Sequence, residues 1–159
     1  MTSMTKKTKT QKEHYVNNKE FLAAMVEFKK ARQDAEKNKL DKPPVTDYIG
    51  SCFLKIANHL SYRPNFINYT FRDDMISDGI ENCLQYVNNF NPEKSKNPFS
   101  YFTTIAYHAF INRIKKEKKH HQAITSYKEK VYEEYMADPN NTQGTVYVKP
   151  IGTEHDSDY

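Results

Sequence analysis

Residues 97–121 read NPFSYFTTIAYHAFINRIKKEKKHH, and this stretch decides the fold. Asn97 followed by Pro98 is a typical helix start, because Asn accepts hydrogen bonds from unpaired backbone N–H groups and Pro has no N–H of its own. We therefore predict a helix that begins at Asn97–Pro98 and ends at Lys119, roughly 22 residues long.

The two halves of this predicted helix differ in their chemistry. Rings interleave with small polar residues in the first half, and cations fill the second. One face carries rings that we predict to be core: Phe99, Phe102 and Phe110. Other faces carry Tyr101, Tyr107 and His108. Exposed rings beside cations suit single-stranded nucleic acid, because rings stack on bases while cations follow phosphates. The alternative interpretation is a well-packed helix with a solubilising basic end.

Two amphipathic helices are predicted in the N-terminal half. The first begins at Asn17 or Asn18, either of which is a good N-cap, and runs to Ala35. Its apolar stripe is Phe21, Met25 and Phe28. The second follows the N-cap Thr46 and ends before Pro64. Its stripe is Ile49, Phe53, Ile56 and Leu60. The segments 37–44 and 63–69 are predicted to be a linker and a loop.

A third helix is predicted between the loop and the decisive stretch, and a weaker one after it. The third begins at Thr70, with Asp73 as part of a capping box, and ends at Phe90–Pro92. Its predicted stripe is Ile76, Ile80, Leu84 and Val87, with Cys83 beside it. A fifth, weaker helix is predicted over Tyr127–Ala137.

Composition supports an all-α fold of modest size. The 159 residues are 37% hydrophobic and 13% aromatic, with only four Gly and seven Pro, too few for a turn-rich β protein. We predict a compact bundle of four to five helices over residues 15–137, between a disordered basic arm (1–14) and a flexible acidic tail (138–159). The two cysteines are predicted to be buried thiols. No signal peptide and no membrane span are expected, so a cytoplasmic protein is predicted.

Charge is distributed unevenly along the chain. Residues 94–121 contain seven Lys or Arg and one Glu, whereas residues 122–159 contain three Lys and seven Asp or Glu. The third predicted helix has no Lys or Arg between Arg72 and Lys94, and its outer face is acidic and amide-rich. That face carries Asp74, Ser77, Asp78, Glu81, Asn82 and Gln85. Two surfaces of opposite charge predict two partners, one of them a polyanion.

Catalysis is not predicted. Asp73, Asp74 and Asp78 are clustered acids, and they lack a partnering His or a Gly-rich phosphate loop. The adjacent His120 and His121 point in different directions on a helix, so no metal site follows from them. We expect no cofactor.

Several of these residues resemble a known family. The runs Phe71–Ile80, Val87–Pro92, Phe99–Phe102 and Ile111–Ile114 resemble the second conserved domain of bacterial sigma factors. The resemblance covers residues 49–119. Together with Tyr15–Glu20, the arrangement is similar to the late-transcription sigma factors of large tailed phages.

The resemblance implies a fold like sigma domain two, with a function for each charged surface. It implies docking on a coiled coil of the largest subunit of core RNA polymerase by Asp74, Ser77, Asp78, Asn82 and Gln85. It implies contacts with promoter DNA, especially the opened non-template strand of a short AT-rich element, by Lys96, Tyr101, Phe102, Thr104, Tyr107, His108, Asn112, Arg113, Lys115, Lys116, Lys118 and Lys119.

The chain also departs from that family. Ile105–Ala106 stands where main-class sigma factors have a Trp pair, so strand capture is expected to rely on other rings. No room remains for the upstream promoter-reading domain, so help from a phage coactivator is expected. The segment Thr153–Tyr159 is acidic without a Leu or Phe cluster, and a sliding-clamp contact is not predicted. Two alternatives stay open: a polymerase-independent single-stranded-DNA-binding module, and a helical interaction protein without a nucleic-acid role.

Overall fold

A computed structural model describes residues 14–140 of the chain, and this part is all-helical. Its helices are α1 (Asn18–Lys37), α2 (Asp47–Ser61), α3 (Arg72–Gln85) and α4 (Pro98–Ala137), with a short 3-10 turn at Val87–Asn89. No strand occurs between residues 14 and 140. The predicted all-α class is confirmed, with four α-helices in the described part of the chain. Most of the predicted arm and tail lie outside the described residues.

The chain divides into two compact units within α4. The first extends to Ile114 and contains α1, α2, α3 and the beginning of α4. The second begins at Lys115 and contains the rest of α4.

The helices α1 and α2 lie where their N-cap residues and apolar stripes predict them. The Asn17 side chain accepts hydrogen bonds from the backbone N–H groups of Lys19 and Glu20, at 3.0 and 3.4 Å. Thr46 Oγ1 accepts from the N–H of Ile49 at 3.3 Å. Both predicted stripes are buried. Two ends differ slightly: α1 continues two residues beyond Ala35, to Lys37, and α2 ends at Ser61, before the predicted loop begins.

The predicted ends of the third helix are wrong. It begins at Arg72 after Phe71, without a side-chain cap, rather than at Thr70. Arg72 at this end is held by tertiary contacts instead: its Nε donates to Ser61 Oγ at 3.0 Å, and its guanidinium lies 4.3 Å from the centroid of the Tyr62 ring. At the other end α3 stops at Gln85, and the 3-10 turn precedes the predicted terminator.

The predicted apolar stripe of α3 is also displaced around the helix. The buried residues are Met75, Gly79 and Cys83, whereas Ile76 and Ile80 are half-buried. Leu84 is 43% exposed. The prediction of the stripe considered only large apolar side chains and therefore ignored glycine. Gly79 nevertheless lies at the centre of the buried face of α3.

Gly79 permits a close approach of α3 and α4. A Cβ placed on Gly79 would lie 2.9 Å from Cε1 of Phe110 and 3.6 Å from the Cβ of Ala106. The Phe110 ring is fully buried and packs edge-to-face on Phe66, with 5.2 Å between the centroids. Phe66 is itself core, although it belongs to a segment predicted only as a loop.

Helix α4 starts as predicted but does not stop as predicted. Asn97 Oδ1 accepts from the N–H of Ser100 at 3.0 Å, and the Asn18 side chain accepts from the N–H of Phe99 at 3.2 Å, so α1 helps to cap α4. The end at Lys119 and the separate fifth helix are wrong, because one helix of 40 residues reaches Ala137. No Gly or Pro interrupts it after Pro98, so nothing in the sequence forces a break.

Both cysteines are buried free thiols, as predicted. Burial raises the pKa of the Cys83 thiol to about 12, and it raises the pKa of Cys52 as well. Neither is therefore an activated nucleophile. Among residues 14–140, no helix is both long and apolar enough to cross a bilayer.

Candidate nucleic-acid interface

An open groove of about 570 Å³ lies between the end of α3 and the first four turns of α4. We call it the α3–α4 groove; it is lined by Asn82, Tyr86, Ser95, Asn97, Ser100, Tyr101, Thr104, Ile105, His108 and Asn112. Four predicted DNA contacts are thus brought together: Tyr101, Thr104, His108 and Asn112. A predicted polymerase contact, Asn82, joins them from α3.

The α3–α4 groove offers the functional groups that recognise bases. Amides and hydroxyls can donate to and accept from base edges, and rings provide stacking surfaces. Thr104 Oγ1 donates to the carbonyl of Ser100 at 2.9 Å, which leaves its lone pairs to accept a further hydrogen bond. His108 and Asn112 are exposed one turn apart along α4. This chemistry fits an unstacked nucleotide better than a duplex phosphate backbone, because none of the described residues that line the groove is a Lys or an Arg.

Tyr101 both packs against the hydrophobic core and lines the α3–α4 groove. Its ring is half-buried and packs edge-on against Phe90, at 5.2 Å between the centroids. Tyr107, by contrast, is 36% exposed, outside the groove, and its ring lies 5.6 Å from that of Phe66. The three predicted DNA-facing residues Tyr101, Tyr107 and His108 therefore do not share one surface.

Phe102 does not suit the role that the resemblance implies for it. Its ring is 0% exposed and lies between Phe21, Phe53 and Phe90, at 5.6, 4.6 and 5.9 Å between centroids. A ring enclosed in this way cannot stack on a base while the core stays intact. The prediction that Phe102 is core is confirmed, and its implied role in strand capture has to be withdrawn.

Arg113 and Asp78 contact each other rather than presenting two separate surfaces. Arg113 Nε donates to Asp78 Oδ2 at 2.6 Å, and Arg113 Nη2 donates to Asp78 Oδ1 at 2.8 Å. The planar guanidinium and the carboxylate form a two-pronged pair, which joins α4 to α3. Arg113 was predicted to contact phosphate and Asp78 to contact polymerase. Both are better described as positioning residues for the two helices.

The remaining predicted polymerase contacts divide into two groups. Asp74, Ser77 and Gln85 are exposed, and Asn82 is half-buried at the groove. No Lys or Arg of α3 lies beyond its first residue, and Asp74 and Glu81 are the exposed acids of this face, whereas Asp78 is paired with Arg113.

The predicted cations lie in different surroundings. Lys96 Nζ donates to the carbonyl of Pro92 at 2.9 Å, which anchors the loop before α4. The lysine run, which we define as Lys115, Lys116, Lys118 and Lys119, is exposed on the part of α4 that belongs to the second unit.

Sequence reasoning missed half of the residues that line the groove. Ser95, Asn97 and Ser100 gave no sign of a groove, because small polar residues near a helix start are explained by capping alone. Ile105 was noted only as a departure from the sigma pattern. Tyr86, which lies just beyond α3 and is 42% exposed, was not singled out from the sequence either. Within residues 14–140 there is no group of three His, Cys, Asp or Glu that could hold a metal ion.

Compared with models of known protein families and with curated proteins, the chain has no match.

Proposed function

We propose that this protein is a promoter-specificity factor of the phage sigma type. It binds core RNA polymerase through the exposed acidic face of α3, and it holds the opened non-template strand of a short AT-rich promoter element in the α3–α4 groove. It has no catalytic activity of its own. The site of action is the bacterial cytoplasm, and a coactivator supplies the upstream promoter contact.

One observation supports the proposal most directly: the groove joins base-recognising groups of α4 to the helix that carries the acidic face. A nonspecific strand-binding protein needs only rings and cations. The acidic face of α3, where Asp74 and Glu81 are exposed beside Ser77 and Gln85, has no use in such a protein, because its carboxylates repel nucleic acid. It suits a basic protein partner instead.

The polymerase contact is tested by substitution of exposed residues only. Asp74→Ala with Gln85→Ala should weaken binding to core polymerase, because it removes a charge and an amide from the docking face. Asp78 is left unchanged, since it holds Arg113. The matched control is Glu27→Ala with Gln33→Ala on α1, which also removes one acid and one amide, away from the docking face. Equal affinity of both variants for core polymerase, measured by sedimentation or surface plasmon resonance, would refute docking by α3.

The strand contact is tested in the groove. His108→Ala with Asn112→Ala should reduce binding of an AT-rich single strand and impair promoter opening, while affinity for core polymerase stays unchanged. Asn88→Ala, an exposed amide outside the groove, serves as the control. If promoter opening, followed by permanganate reactivity of unpaired thymines, is the same for the groove variant and the control, the groove is not the strand site.

A further inference from the structure

A stack of three rings joins the residues before α1 to the last turn of α2. The Tyr15 ring is nearly parallel to the imidazole of His59, with 7° between the planes and 3.7 Å between the centroids, and it also stacks on His14 at 4.9 Å. Phe99 of α4 meets the rings of His14 and Tyr15 edge-on, at 4.6 and 5.6 Å. Tyr15 is half-buried, whereas His14 and His59 are exposed. This ring stack, which we define as His14, Tyr15 and His59, is therefore fixed against the core and ends in exposed rings.

Cations lie on either side of the ring stack along α2. Lys55, His59 and Arg63 are all exposed and follow one another at intervals of four residues, so their side chains lie on one side, about 6 Å apart along the axis. The Arg63 guanidinium is near enough to Tyr15 to oppose the rise in the pKa of the Tyr15 hydroxyl that burial causes. Neither Lys55 nor Arg63 forms an ion pair with any of the residues 14–140. Both cations are thus available to an anionic partner.

The sequence around the ring stack contains no acid. Between Asp47 and Asp73 there is neither Asp nor Glu. Tyr62, one turn beyond His59, adds a further ring that is 61% exposed. Rings and cations without carboxylates are what a single-stranded nucleic acid needs, because the rings stack on bases and nothing repels the phosphates.

This surface is separate from the α3–α4 groove. Phe99, which touches the ring stack, and His108, which lines the groove, are nine residues apart in α4. At about 3.6 residues per turn, they lie on opposite sides of the helix. No member of the ring stack is among the described residues that line the groove. A nucleotide at the ring stack therefore does not have to displace one from the groove.

We propose that the ring stack, together with Lys55 and Arg63, is a second contact for single-stranded nucleic acid. A base stacks on the face of His59 that Tyr15 leaves uncovered, and the two cations bind the phosphates on either side of that base. The rings are already ordered, so binding costs little side-chain entropy. A duplex is a poorer ligand, because its bases stack on each other. The contact needs no polymerase, so it does not depend on the promoter function.

The ring protons of His59 report on the contact directly, and with six His in the chain their nuclear magnetic resonance signals are few. Addition of a short oligodeoxyadenylate to the full chain should move the His59 signals upfield, because the ring current of a stacked adenine shields them. Protonation of His59 near a polyanion would move them downfield instead. Oligoglutamate, a polyanion without bases, is the control and should cause no upfield shift. Absence of an upfield shift with DNA, or equal shifts with both polyanions, would overturn the proposal.

The groove variant separates this contact from the strand site proposed above. In the chain with His108→Ala and Asn112→Ala, the upfield shift of His59 should persist, because the two surfaces lie on opposite sides of α4. Loss of the shift in this variant would show that the ring stack has no binding site of its own. Failure of the groove or of the polymerase contact would leave the His59 result unchanged.

Binding affinities test the role of the ring. His59→Ala should weaken the binding of a labelled oligodeoxyadenylate by about 5-fold or more, because one stacking partner is lost. His59→Phe, which keeps a ring, should bind within about 2-fold of the parent. If fluorescence anisotropy gives the same affinity for His59→Ala and the parent, or an equal loss for both variants, no base stacks at this position.

The salt dependence of binding tests the two cations. Lys55→Gln with Arg63→Gln should reduce the magnitude of the slope of log binding constant against log salt concentration by about 1.4, which is about 0.7 for each of two phosphates. The matched control is Lys30→Gln with Lys37→Gln, two exposed cations of α1, which should leave the slope unchanged. Equal slopes for the two double variants would show that Lys55 and Arg63 do not contact phosphates, against the proposal.

Discussion

A methyl group at position 79 would test the packing that positions the groove. The Cβ of Gly79→Ala would lie 2.9 Å from Cε1 of Phe110, closer than such contacts allow. Phe110 cannot easily move away, because its ring is fully buried against Phe66. The two helices must then separate slightly, and the groove lined by both of them changes shape. Gly50→Ala on α2 is the matched control, since nothing lies within 4 Å of the added methyl there.

The magnitude follows from two opposing effects. Each substitution gains about 0.5–1 kcal/mol of free energy of unfolding, because alanine favours a helix more than glycine does. Overpacking at position 79 costs about 1–3 kcal/mol, and this cost is absent at position 50. Gly79→Ala should therefore be less stable than Gly50→Ala by about 1–3 kcal/mol.

Urea unfolding measures this difference. Near-ultraviolet circular dichroism of the buried rings reports on the first unit, and the midpoint should shift without a change in slope. Equal stability of the two variants would refute the close approach of α3 and α4 at Gly79.

Three further predictions concern charge. In a double-mutant cycle of Asp78→Asn and Arg113→Gln, we expect a coupling free energy of about 1 kcal/mol or more by urea unfolding; strict additivity would show that the ion pair does not join α3 to α4. Stability should fall as the pH rises from about 9 towards 12, because the unfolded Cys83 thiol loses its proton near 9.0 while the folded one keeps it to about 12. Cys83→Ala should flatten that dependence in unfolding curves at alkaline pH, and an unchanged slope would contradict it. Substitution of the four lysines of the lysine run by Gln should make the binding of single-stranded DNA less dependent on salt. The slope of log binding constant against log salt concentration should decrease in magnitude by about 0.7 for each phosphate that the lysines neutralise. An unaltered slope would show that these lysines are solvated and do not contact phosphates.

The sequence predicted the first two helices because local rules decide them. Asn17 and Thr46 cap as their side chains allow, and apolar residues at helical spacing face the core. The third helix could not be placed correctly from local rules, because its buried face centres on Gly79, whose importance lies in its missing side chain. The break predicted after Lys119 had no basis in a breaking residue, and α4 continues through it.

Individual residues of the candidate site were predicted from the sequence, but which of them lie together on one surface was not. Tyr101, Thr104, His108 and Asn112 do meet in one groove. Arg113 and Asp78 are 35 residues apart, and no sequence pattern reveals that they contact each other. Asp78 was predicted on the outer face of its helix and Arg113 among the DNA contacts that the resemblance implies, although a charged residue at the edge of one helix can pair with the edge of the next. The aromatic side chain of Phe102 could stack on a base by its chemistry, but it is buried in the core.

Transcription by core RNA polymerase, with and without this protein, tests the central claim most directly. On a supercoiled template that carries candidate AT-rich elements, the account predicts discrete transcripts that start at fixed distances from one such element and depend on the protein. The Asp74→Ala, Gln85→Ala variant should lose these transcripts, whereas the Glu27→Ala, Gln33→Ala control should keep them. If the protein binds single-stranded DNA but leaves the start sites of core polymerase unchanged, it is a strand-binding module and not a promoter-specificity factor.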